Sequence, residues 1–120
     1  MAVHEVLSQI GDKWTVLVVR ALNDGPRRFS ELKRGVEGIS QRMLTLTLKT
    51  LERDGFVTRT VYPTIPPRVD YELTALGHSL SDPLGVIAQW AITNRQRIVD
   101  ARVVFDAREP FDGPVRIAAE

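Results

Sequence analysis

The sequence predicts a mainly α fold of the α+β class, in which a run of helices is interrupted once by a β-hairpin. Three observations carry that expectation. Apolar residues recur at three- and four-residue steps through most of the chain up to Asp54 and again after Thr74. Between Phe56 and Leu73 the period changes to two, and β-branched and aromatic residues dominate. Glycines and prolines fall where these patterns break.

Val3, Val6, Leu7 and Ile10 form the first helical stripe, and Gly11 follows where that helix would stop. Asp12 is placed to cap a second helix, which carries Trp14, Leu17, Val18 and Ala21 up to the Asn23-Asp24-Gly25-Pro26 break. Phe29, Leu32 and Val36 give a short third helix, closed by Gly35 and the Glu37-Gly38 turn. Ser40 is a good N-cap for a fourth, with Ile39 before it and Leu44 four residues beyond as a hydrophobic staple, although Met43 stands where a capping box needs Glu or Gln. Leu44, Leu48 and Leu51 continue the stripe until Asp54-Gly55 ends it.

From Phe56 to Tyr62 the pattern is that of a strand, and Val69–Leu73 alternates again beyond Pro63 and the Pro66-Pro67 pair. A two-stranded hairpin with a proline-stiffened loop follows. Thr74 caps the next helix, and Asp82 with Pro83 at the first helical position signals a restart. The last helix carries Leu84, Ile87, Ala88, Ala91 and Ile98 to around Phe105. Residues 1–105 are thus expected to form one domain, with 106–120 as a loosely held tail containing Pro110, Gly113 and Pro114.

A chain of 120 residues with 43% hydrophobic content can bury a core of its own. It has no cysteine, which removes disulfides and thiolate metal sites. The start of the chain lacks the basic and apolar run of a secretion signal, and no apolar stretch approaches the roughly 20 residues of a membrane span, so a cytoplasmic protein without membrane contact is expected. His4 and His78 are isolated, and neither a nucleophile elbow nor a phosphate-cradling glycine loop is present. Enzymatic chemistry, a cofactor and a metal are therefore not expected.

The net charge is only +1, but it is unevenly distributed: between Arg27 and Arg68 nine basic residues stand against four acidic ones, leaving the remainder of the chain at −4. That segment contains the tight turn, the Ser40 helix, and the first strand and loop of the hairpin. Helix, helix, short helix, turn, helix, hairpin and helix is the order of a winged helix-turn-helix, whose recognition helix buries one face and offers the other to the major groove. At 100° per residue, the face opposite Leu44, Leu48 and Leu51 carries Arg42, Thr45, Leu46, Lys49 and Arg53. Ser40, Gln41 and Arg42 occupy the end that enters a groove first. Gln and Arg suit bidentate contacts to adenine and guanine, and Lys49 suits a phosphate. Arg59 and Arg68 lie on the hairpin, where a wing reaches backbone or minor groove. The candidate DNA-binding residues are therefore Ser40, Gln41, Arg42, Thr45, Lys49, Arg59 and Arg68.

These segments also make the chain recognisable. Through IGDKWTVLVVRALNDGPRRFSELKR and GISQRMLTLTLKTLERDGFVTRTVYPTIPPRVDYELTALGHSL it resembles the HxlR family of winged-helix regulators, relatives of the MarR group, over about residues 3–92. The resemblance implies a homodimer built through the first and last helices, with the Ser40 helix reading double-stranded DNA and the proline-rich wing beside it. Family members often carry a sensing cysteine near the start, where this chain has Met1. Two other readings accompany this one. Exposed Leu46 and the Ile65-Pro66-Pro67 tip suit a protein-docking module, and a small-molecule effector could lodge between the dimerising helices and the DNA-binding core. Trp14 and Trp90 are aromatic candidates for lining such a pocket, although core packing for Trp14 and interface packing for Trp90 are the plainer roles.

Overall fold

A computed structural model describes residues 3–108 of the chain. The elements run α1 (Val3–Ile10), α2 (Lys13–Ala21), β1 (Arg27–Arg28), α3 (Phe29–Gly35), α4 (Gln41–Arg53), β2 (Val57–Tyr62), β3 (Arg68–Leu73) and α5 (Ala75–Asp106). The described residues fall into two compact units, one extending to Val86 and one beginning at Ile87. Residues of the expected tail beyond Arg108 lie outside the described part.

Local chemistry explains where the helices begin. Oδ1 of Asp12 accepts from the backbone N–H groups of Trp14 (2.9 Å) and Thr15 (3.3 Å), and Oγ of Ser40 accepts from that of Met43 (3.0 Å). Each satisfies donors that the first helical turn leaves without a partner. The Thr74 hydroxyl does the same for Gly77 at 3.1 Å while donating to the Gly55 carbonyl at 2.6 Å, so one side chain joins the start of α5 to the end of α4. Helix α3 begins differently: the carboxylate of Glu31 accepts from the N–H of Arg28 at 2.9 Å.

Val18, Val19 and Leu22 from α2 and its end, Leu32 from α3, and Leu44, Leu48 and Leu51 from α4 form the buried centre of the first unit with Val57, Leu73 and Leu84. Burying each of these side chains is worth about 1.5–3 kcal/mol. Ile39 and Leu44, the two halves of the staple, both belong to this cluster. The turn between α3 and α4 passes through Gly38 at φ +85°, a conformation that disfavours side chains.

Two features differ from the expectation. The hairpin belongs to a three-stranded antiparallel sheet of order β1-β3-β2, because Arg27 and Arg28 pair with Tyr71 and Asp70. Two residues carry no alternation, so this strand leaves no trace in a hydropathy pattern. The expected restart at Asp82 is also absent, since α5 runs through Pro83. Proline removes one helical hydrogen bond there, but packing holds the helix on both sides. Ser81 and Leu84 are buried, and Oγ of Ser81 donates to Oδ1 of Asn23 at 2.8 Å.

Candidate nucleic-acid interface

The same stripe that seats α4 in the core determines what it presents outward. With Leu44, Thr47, Leu48 and Leu51 buried, Gln41, Arg42, Thr45, Leu46 and Lys49 are exposed and line one open surface depression. Four of the predicted residues are thereby brought together. Ser40 is exposed just ahead of them, with its hydroxyl engaged in capping. Thr45 returns its hydroxyl proton to the Gln41 carbonyl at 2.9 Å, leaving oxygen lone pairs outward. Leu46 is 55% exposed in this otherwise polar row. Nothing within the described residues neutralises Arg42 or Lys49, since the one ion pair found there lies elsewhere. The face can therefore offer a bidentate donor fork, an amide and a compact cation to a polyanion.

Arg59 and Arg68 lie on the wing and not in this depression. Arg59 is exposed on β2 opposite Tyr71, and the third strand places Arg27 opposite the same tyrosine from the other side. Directly opposed residues share a sheet face, so Arg27, Tyr71 and Arg59 form a row of two cations across the wing. Spacing in the sequence does not mark Arg27, because only strand pairing aligns it with Arg59.

Arg68 has a more structural setting. Its Nε and Nη2 donate to the two carboxylate oxygens of Asp70 at 3.0 and 2.9 Å, and its guanidinium stands 5.2 Å from the centre of the Tyr62 ring. The hydrogen bonds from Arg68, followed by its charge, hold the Asp70 carboxyl below the usual carboxylate range, and Asp70 raises the guanidinium in return. The folded carboxyl thus binds its proton less readily than the unfolded one. The stabilisation is complete at neutral pH and is lost as pH falls below about 4, through the unfolded value towards the lowered folded one. Thermal melts between pH 7 and pH 3 will show a steeper acid loss for the native chain than for Asp70→Asn; parallel curves would mean that the pair contributes nothing to stability.

Among the described residues there is no cluster of three or more metal-ligating side chains, and no helix is long and apolar enough to cross a membrane. Trp14 is partly buried against the core with Lys13 Nζ 4.4 Å from its ring centre, whereas Trp90 is 59% exposed. Neither borders the open depression of α4.

The profile of the HxlR-like helix-turn-helix family matches residues 9–99. The chain is 41% identical over 99 residues to the uncharacterized HTH-type transcriptional regulator YtfH of Escherichia coli, spanning 82% of this chain and 79% of that protein. Among solved structures it is similar to the ytfH regulator of Salmonella typhimurium, with TM-score 0.77 and 42% identity over 82% of this chain and 88% of the other. It is also similar to the redox regulator HypR in its reduced form, with TM-score 0.76 and 40% identity over 82% and 97% of the two chains.

Proposed function

Since the chain belongs to the HxlR-like helix-turn-helix family, and is therefore a transcriptional regulator with a helix-turn-helix DNA-binding domain and not an enzyme, we propose that it acts in the cytoplasm as a homodimer on a pseudo-palindromic operator. The observation that carries this reading is the outward face of α4, where Gln41, Arg42, Thr45 and Lys49 converge while the leucines behind them are buried. Ser40, Gln41, Arg42 and Thr45 read base edges, and Lys49 anchors on phosphate. Arg59, and the guanidinium edge of Arg68 that Asp70 leaves free, reach the backbone from the wing. A two-fold dimer would place two such helices in successive major grooves about one helical turn apart.

Exposed apolar surface supports the dimer. On α1, Val3, Val6 and Leu7 are 73%, 40% and 57% exposed. Along α5, Ile87, Ala91, Ile98, Ala101 and Phe105 fall at alternating four- and three-residue steps, with Asn94 as the polar interruption, which is the spacing of a helix seam. In water such surface is costly unless a second copy covers it. None of the 120 residues is a cysteine, so no thiol within them can carry a redox response.

Selection from a random duplex pool, followed by affinity measurements across a salt series, tests the reading. A palindromic site whose affinity falls steeply with salt is expected; a folded protein that enriches no sequence would overturn it. On that site Arg42→Ala will cost about 1–3 kcal/mol and relax preference at one base pair of each half-site. Lys49→Ala will instead weaken all sequences alike and reduce the salt slope by about one per substituted phosphate contact.

A further inference from the structure

The groove between α1 and α4 plays no part in the DNA contacts above, yet side chains of definite chemistry line it. It is open to solvent and holds about 340 Å³, bordered by Glu5, Asp12 and Thr15 on one side and Met43, Leu46 and Thr47 on the other. Thr15 and Thr47 are only 3% and 6% exposed. Thr45 and Thr50 on the same helix return their hydroxyls to the carbonyls of Gln41 and Leu46 at 2.9 and 3.0 Å, but no hydrogen bond among the described residues engages the hydroxyl of Thr15 or Thr47. No buried side-chain polar atom there is sealed off without a partner, so these two hydroxyls open onto the cavity they line. Hydroxyls in that position keep their hydrogen-bonding capacity for water or for a ligand in the groove.

The charge of the wall selects the ligand. Among the described residues, Glu5 and Asp12 are the ionisable side chains that line it, and both are acidic. Asp12 uses Oδ1 for both of its capping bonds, leaving Oδ2 for another donor. Met43 and Leu46 provide an apolar wall opposite. We propose that this cavity binds a small organic cation, a protonated amine on a compact apolar body, with the ammonium at Glu5 and Asp12, the body against Met43 and Leu46, and the threonine hydroxyls as additional partners.

Leu46 also borders the DNA-facing depression beside Arg42 and Lys49, so a molecule packed against it acts on the reading face. That consequence rests on the DNA-binding function proposed above; amine binding itself does not. By linkage, an amine that changes operator affinity has its own affinity changed by operator in the same ratio.

The test uses benzylamine as the cation and benzoate as an anion of similar shape, titrated into the full chain by calorimetry and thermal melting. Saturable binding of benzylamine, a raised melting midpoint and no response to benzoate are expected. Glu5→Gln, at an exposed position that carries no core contact, will weaken benzylamine about two- to fivefold, the size of a partly exposed ion pair, and Thr47→Val will weaken it as well. Equal binding of benzoate, absence of saturation, or unchanged affinity in Glu5→Gln overturns the site. Operator selection on amine-free protein keeps the two ideas apart. Amine binding without any enriched operator defeats the DNA reading alone, while an operator without amine binding defeats the cavity alone. An operator affinity unchanged by saturating benzylamine defeats its regulatory role.

Discussion

Leu44→Ala will lower the free energy of unfolding by about 2–5 kcal/mol, the cost of deleting a fully enclosed leucine side chain and leaving a cavity. The side chain is 0% exposed one turn into α4, in the same cluster as Ile39 and the valines of α2. Domains of this size are stable by about 5–15 kcal/mol, so the loss is a large share of the total. Leu46→Ala is the matched control, because it removes the same atoms two residues away from a side chain that is 55% exposed. Its cost will stay below about 1 kcal/mol. Urea titrations of both variants decide the matter, with unchanged slopes showing that the unfolded state is comparable. Equal losses would mean that α4 is not seated by the face described, and the assignment of its outward residues would fall with it.

Trp90→Asp will separate the proposed dimer. Trp90 is 59% exposed within the second unit, one helical turn beyond Ile87 at 60% and on the same side of α5. A carboxylate in such a surface would have to lose its hydration on association, a penalty of several kcal/mol. Sedimentation equilibrium will show the native chain at twice the monomer mass and the variant at the monomer mass. Affinity for a two-half-site operator will fall about 10²–10⁴-fold, since linkage between the reading helices is lost. Because the substituted side chain is already exposed, helix content by circular dichroism will be retained. A variant that remains dimeric would place the interface elsewhere on the molecule.

How much of this was legible beforehand depends on the kind of interaction. The caps at Asp12, Ser40 and Thr74 could be read because each acts within three residues of itself. The outward row of α4 was legible because helical spacing ties the exposed residues to the buried leucines. Non-local pairing left less trace. Arg27 and Arg28 carry no periodicity, and only β3 makes them a strand. The break expected at Pro83 assumed that local backbone chemistry decides, whereas Ser81 and Leu84 are buried on either side of it. The commitment of Arg68 to Asp70 follows from strand geometry, which puts residues two apart on one face, but spacing alone does not show that Asp70 is buried enough to need that partner. The cavity beside α4 involves Glu5, Asp12 and Thr47, which sequence separates by up to 42 positions.

The two-residue strand β1 also alters how the wing forms. A hairpin of β2 and β3 alone would be marginal in water, tied to the helices at its base through Val57 and Leu73. Pairing Arg28 with Asp70 also closes a loop that contains α3, α4 and β2, and the entropy of closing it is recovered only when those helices are in place. Order in the wing and order in the reading helix are therefore joined in one cooperative event, and neither can be gained or lost cheaply without the other.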